Sequence, residues 1–171
     1  MRVVFTYQPD SPGDHAPSLI ARDALERYAP DAEVYCLGTA PDAYYRLYAQ
    51  LWDDGDGWLN VEQDIELHSS VLPDTEACPE PWCVWPYQGP GRDDGDRYLF
   101  GSLGCTRFSA ELIAAHPQFI AQLQGRNWQG LDSYILPGLL GLGYKQHIHW
   151  PAVLHHHFRP DLGKCDCRQV H

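Results

Sequence analysis

Short apolar runs rich in β-branched and aromatic residues alternate, through residue 65, with stretches whose apolar residues recur at helical spacing, and this alternation constrains the fold most. Arg2 to Tyr7 reads as a buried first strand, and Gln8-Pro9-Asp10-Ser11-Pro12-Gly13-Asp14 after it is dense turn chemistry. Leu19, Ile20, Ala24, Leu25 and Tyr28 share a helical face between Ser18, a capping residue, and Pro30; Glu33 to Leu37 then reads as a second strand. Pro41 suits a first helical position, and Tyr44, Tyr45, Tyr48, Leu51 and Trp52 follow as one aromatic stripe that predicts a helix facing the core. Trp58 to Ile65 is the third strand. The order β-α-β-α-β predicts an α/β sandwich with a mostly parallel sheet.

Beyond residue 65 the pattern loosens. Leu72 to Pro81 is interrupted by prolines and cannot hold a long regular element, whereas Trp82 to Tyr87 reads as a strand. Gln88 to Arg97, with three glycines, a proline and three aspartates, predicts an exposed loop able to serve as a lid. Tyr98 to Phe108 reads as a strand broken by glycines. Ser109 with Glu111 and Leu112 starts a helix that Pro117 stops, and Leu131 to Leu142 predicts an apolar helix weakened by Pro137 and Gly138. Two extended segments, Tyr144 to Trp150 and Ala152 to Phe158, flank Pro151. A polar tail, 159–171, follows a single domain over 1–158.

Bulk numbers narrow the function classes. A chain of 171 residues with 44% hydrophobic composition supports one core, and a net charge of −11 argues against a basic footprint for nucleic acid or an anionic membrane. A polyanionic partner would have to be gripped locally or through a metal. Met1 to Tyr7 carries no long apolar run, and no stretch approaches the roughly 20 apolar residues of a membrane span, so the expectation is a cytoplasmic protein. Its six cysteines, at 36, 78, 83, 105, 165 and 167, are then expected to be reduced thiols.

Chemistry concentrates in a few places. Glu62 and Asp64 end the third strand at i, i+2 spacing, which places both acids on one face where the chain leaves the sheet, a seat for a divalent cation such as manganese or magnesium. The bland alternative is a solvated turn. His155 and His157, alternate members of His155-His156-His157, would share a face of an extended segment and could complete the metal shell. Asp132, acidic at the start of an apolar helix, is either a general base lifted toward neutral pH by burial or a helix-capping aspartate. Cys78, Cys83, Cys165 and Cys167, with His147 and His149, could furnish a structural zinc site in a non-catalytic binding module, although their spacings are poor. Phosphate-binding loops, nucleophile elbows and paired-glycine dinucleotide turns do not occur.

Taken together, the strand ending at Tyr7, the aromatic helix closing on Leu51-Trp52, Val61-Glu62-Gln63-Asp64-Ile65, Cys78-Pro79-Glu80-Pro81-Trp82-Cys83, Gly101-Ser102-Leu103-Gly104, Leu131-Asp132 and the late histidines resemble a small GT-A type glycosyltransferase, closest to compact enzymes encoded by bacteriophages. The resemblance implies a Rossmann-like α/β/α sandwich. It implies that Asp64, with Glu62, corresponds to the Asp-x-Asp motif holding manganese or magnesium against the diphosphate of a nucleotide sugar, here beginning with Glu. By the same resemblance His157 or His155 is the third ligand, Asp132 deprotonates the acceptor with inversion, and Thr6, Tyr7, Gln8, Gly101 and Gly104 contact the donor. The implied donor is a uridine diphosphate sugar. The implied acceptor is hydroxymethylated cytosine in phage DNA, or else a protein or glycan, with host cytoplasm as the location.

Overall fold

The computed structural model describes residues 1–7, 19–38, 40–88, 99–100, 102–127, 130–156, 158–159 and 163–164. In chain order the first half runs β1 (Arg2–Tyr7), α1 (Leu19–Tyr28), β2 (Glu33–Cys36), α2 (Ala43–Asp54), β3 (Trp58–Glu62), β4 (Ile65–Glu66) and α3 (Val71–Ala77). The second half runs β5 (Trp82–Val84), β6 (Tyr87–Gln88), β7 (Leu99–Phe100), β8 (Cys105–Phe108), α4 (Ala110–Ala115), a 3-10 turn (Ile120–Gln122), α5 (Asp132–Gly141), β9 (His147–Ile148), β10 (Leu154–His155), β11 (Phe158–Arg159) and β12 (Gly163–Lys164).

Six strands form the central sheet in the order β2-β1-β3-β8-β5-β9. β1 pairs in parallel with β2 and β3, and β5 pairs in parallel with β9, while β8 runs antiparallel to both of its neighbours. All the strands except β8 therefore point one way, the mostly parallel α/β sheet that the alternation predicts, with its one reversal late in the chain. Three two-stranded ladders complete the pairing: β4 with β10, β6 with β7, and β11 with β12. The last of these straddles residue 159, where the sequence suggests the tail begins.

The two sheet faces are packed differently. On one face α2, α4 and α5 cover Val4, Trp58 and Phe108, and the predicted stripe of Tyr44, Tyr45, Tyr48, Leu51 and Trp52 is buried there throughout. Tyr48 meets the Trp58 ring edge-on at 4.7 Å and Trp52 meets Phe108 at 5.6 Å, geometries that the quadrupoles of aromatic rings favour. On the other face α1 and α3 cover Phe5, Leu59, Val61, Cys83, Trp85 and Cys105.

Local chemistry explains the boundaries. Gly55, in the left-handed region at φ 81°, closes α2 with its amide on the Trp52 carbonyl. Ser109 caps α4 by accepting from the Leu112 amide at 3.2 Å. Where prolines suggested no long element, the two-turn helix α3 forms, because Pro73 sits in its first turn, where an amide has no intrahelical partner to lose. The strand expected over 58–65 stops at Glu62; Gln63 and Asp64 form a turn before β4. Likewise the strand expected over 82–87 divides at Trp85-Pro86 into β5 and β6. Among the described residues no helix is long and apolar enough to cross a membrane.

Candidate active site

Three carboxylates gather at the edge of the sheet where the parallel strands end, the usual position for a ligand in an open α/β fold. Glu62 is the last residue of β3, Asp64 lies in the turn beyond it, and Asp132 opens α5. Because β8 is reversed, the segment Ser102-Leu103-Gly104 that precedes it reaches the same edge, and the Glu62 amide donates to the Gly104 carbonyl at 2.9 Å. The acids thus converge through a turn and a loop rather than through the alternation of one continuous strand.

Glu62 points to the aromatic face. Tyr44 donates its hydroxyl to Glu62 Oε1 at 2.6 Å, and Asn60 Nδ2 holds that hydroxyl at 2.8 Å while also donating to the Leu103 carbonyl at 2.7 Å. Burial, then the negative charges of Asp64 and Asp132, push the Glu62 carboxyl up to about 8, against a smaller opposing effect of the Tyr44 hydrogen bond. Both charges acting on Glu62 are therefore carboxylates. That donor set of crowded oxygens, one of them holding its proton near neutrality, fits a hard divalent cation, whose charge would remove the repulsion.

Asp64 is held from the opposite side. His155, 5% exposed, lies in β10, which pairs antiparallel with β4, and its Nε2 is 2.9 Å from Asp64 Oδ2. The amide of His156 donates to the Asp64 carbonyl at 2.7 Å, and His156 Nε2 lies 2.7 Å from Glu66 Oε2. The sequence thus finds His155 beside the acid. His157 lies outside the described residues.

Asp132 does not cap its own helix. Its Oδ2 accepts from the Ser102 hydroxyl and its Oδ1 from the Leu103 amide at 3.4 Å, contacts that span some thirty residues of chain. Burial raises its pKa, with the Ser102 and Leu103 hydrogen bonds opposing. A carboxylate fixed by two donors and lifted toward neutrality suits proton transfer from a hydroxyl.

The residues around the acids divide. Thr6 is buried opposite Glu62 across the β1–β3 ladder, and Tyr7, partly exposed, ends β1. Gly104 has a packing reason: a Cβ there would lie 2.9 Å from the ring of Tyr87, which itself meets the His155 ring at 4.7 Å and a tilt of 53°. Gln8 and Gly101, and residues 89–97 of the suggested lid, lie outside the described residues, as do Cys165 and Cys167. Cys83 is fully buried on β5, and burial pushes its thiol up to about 12. A cavity of about 240 Å³, lined by Phe5, Tyr7, Arg22 and Glu26 among others, lies on the α1 face, and none of the three acids lines it. The contacts that Tyr44, Ser102 and Tyr87 make around the acids escaped the sequence reading; Asn60, polar within an apolar strand, was the available signal.

No family model matches the sequence, and no curated protein matches it. Solved structures do. A CMP:2-keto-3-deoxy-manno-octonic acid synthetase complexed with CTP aligns at TM-score 0.53 and 10% identity over 88% of this chain and 89% of that one. The galactosyltransferase LgtC, in complex with donor and acceptor sugar analogs, aligns at TM-score 0.51 and 14% identity over 98% and 91%. The fold is of the GT-A type. A third structure of this fold, A197 from STIV, aligns at TM-score 0.53 and 15% identity over 94% and 87%. At these identities the likeness concerns the fold, and the site rests on its own geometry.

Proposed function

We propose that the protein is a glycosyltransferase that moves a sugar from a nucleotide-diphosphate sugar to an acceptor hydroxyl. One observation carries the reading: Glu62, Asp64 and Asp132 converge at the ligand-binding edge of a GT-A type sheet, with the ionised form of Glu62 disfavoured by burial and then by the other two. Asp64 and Glu62 would hold manganese or magnesium, with His155 beside Asp64, and His157 or His155 is the third ligand that the resemblance implies. Such a cation, when bound, supplies positive charge against the departing diphosphate.

The chain's own groups do the rest. Ser102 and the Leu103 amide fix Asp132, whose raised pKa suits it to take the acceptor proton, and a base on the acceptor is the arrangement of inverting transfer. His155 orients Asp64 as a second-sphere partner orients a metal ligand. Thr6 and Tyr7, with Gln8, Gly101 and Gly104, bind the donor, for which uridine diphosphate is the nucleotide that the resemblance implies. For the acceptor, the net charge of −11 weighs against duplex DNA carrying hydroxymethylated cytosine, and favours a glycan or protein hydroxyl; the acceptor sugar analog bound by LgtC supports the glycan.

Thermal unfolding with manganese and uridine diphosphate tests the reading. At a hundredfold excess over Kd the ligands stabilise by about 2.7 kcal/mol, a shift of several degrees, and Asp64→Ala removes it. Donor turnover is then assayed with a glycan, a protein and hydroxymethylated DNA. An unmoved melting curve with every nucleotide diphosphate tried would refute the proposal.

A further inference from the structure

On the opposite sheet face, one thiol and two imidazoles meet at the outer strand. Cys78 follows the last turn of α3, His147 opens β9 and His149 follows its end, and β9 pairs in parallel with β5 so that His147 stands beside Cys83. One potential ligand atom from each of Cys78, His147 and His149 lies within 4.8 Å of the other two. Three strand steps separate β9 from β3, about 14 Å at the usual spacing, so this cluster is distinct from the carboxylate site.

We propose that Cys78, His147 and His149 form a zinc site. The group of three is built rather than incidental. Cys78 is 7% exposed, and the His149 ring lies flat on the fully buried Trp85, with centroids 4.2 Å apart and planes 5° from parallel. The His149 amide donates to the Val84 carbonyl at 2.9 Å, which holds that ring over the tryptophan. Its Nε2 is buried and has no hydrogen-bond partner, an arrangement that native structures avoid and that a metal bond would satisfy. Arg107 donates to the carbonyls of Cys78 at 3.3 Å and Glu80 at 2.6 Å, anchoring the thiol-bearing segment to β8.

The donor set selects the ion. Thiolate with imidazole suits a borderline or soft ion such as zinc, whereas magnesium and manganese prefer the oxygens of the other site. Burial, followed by the neighbouring His147, lowers the pKa of His149, the direction that suits an imidazole ligand. The fourth position goes to water or to Asp74, which lies one helical turn before Cys78 on α3 and acts electrostatically on His149. Of the cysteines and histidines that the sequence offered for zinc, Cys78, His147 and His149 come together here, while Cys165 and Cys167 lie outside the described residues. The site is also independent of the proposed transferase activity.

Cobalt(II) is the probe. Titrated into the chelator-stripped full chain, it should bind at one equivalent with a thiolate-to-cobalt charge-transfer band and tetrahedral visible absorption, both abolished by one equivalent of zinc. Cys78→Ser should lose the thiolate band. His147→Gln, at an exposed position where folding is not at risk, should weaken binding by more than about tenfold, since even outer-sphere partners are worth that much. Asp64→Ala should leave the spectrum intact, which separates this site from the carboxylates. Absence of a thiolate band in the folded wild type, a band that persists in Cys78→Ser, unchanged affinity in His147→Gln, or loss of binding in Asp64→Ala would each overturn the proposal.

Discussion

The two faces of the sheet bury polar chemistry in opposite ways. On the α2–α5 face the packing material is aromatic, and Tyr44 turns its hydroxyl toward the rim, where it meets a carboxylate. On the α1–α3 face Phe5, Trp85 and Tyr87 pack among aliphatic side chains and three buried thiols, Cys78, Cys83 and Cys105. A face with hydroxyl and amide donors can hold acids in partial burial, whereas the face that buries the thiols sets soft ligands beside its polar neighbours. One sheet thereby presents hard oxygen donors at its strand ends and a thiol–imidazole cluster at its outer edge.

The sharpest test of this division removes the proton acceptor on the aromatic face. Asp132→Asn keeps the size of the side chain and the Ser102 contact, and should lower kcat by about 10²- to 10⁴-fold with little change in donor KM. Steady-state kinetics measures it, and a loss under tenfold would move the base elsewhere. Next in size is Trp58→Ala, which deletes the ring that Tyr48 and Phe108 pack against at 4.7 and 5.0 Å. Large aromatic truncations in cores cost about 3–5 kcal/mol, read as a lower urea midpoint. Tyr44→Phe, one helical turn before Tyr48, is milder: Glu62 Oε1 loses its donor and Asn60 one acceptor, for about 1–3 kcal/mol. A neutral Tyr44→Phe would mean that the hydroxyl contributes nothing to holding the acid.

These substitutions also mark where the sequence was informative. Periodicity located β1, α1, β2 and α2 to within a residue or two, because each is long enough for several repeats of its period. Toward the C-terminus it found the two extended segments but overstated their length, since β9 and β10 have two residues each and owe their existence to pairing with β5 and β4. Glu62 and Asp64 were visible because they are neighbours in the chain. Tyr44 was correctly placed in the core, yet periodicity carries no information on where its hydroxyl points. The partners of Asp132, Ser102 and Leu103, are distant in sequence, and so are the histidines that approach Cys78. Only the strand order brings such residues together, which is why Cys78, His147 and His149 could be named from the sequence while their poor spacing argued against the site.

The smallest effect concerns the proton on Glu62, measured on the metal-free protein. Its folded-state pKa of about 8 stands above the ordinary 4.5, so below 4.5 the group is protonated whether the chain is folded or not. As pH rises past 4.5 the unfolded chain releases this proton and the folded chain retains it. The stability associated with protonated Glu62 is therefore fully present below 4.5 and is lost as pH climbs through about 8. Burial raises Asp132 in the same direction, whereas Arg2 lowers Glu33, so the total profile mixes signs. Glu62→Gln isolates the wanted part: its stability relative to wild type should grow between pH 5 and 8, by an amount limited by the partial solvent access of Glu62 and by sharing of the charge among three acids. Manganese should flatten that difference, because a cation favours the ionised carboxylate and metal binding then releases the proton. Parallel pH profiles for the two proteins, with or without manganese, would place Glu62 outside the electrostatic reach of Asp64 and Asp132 and dissolve the contrast between the faces.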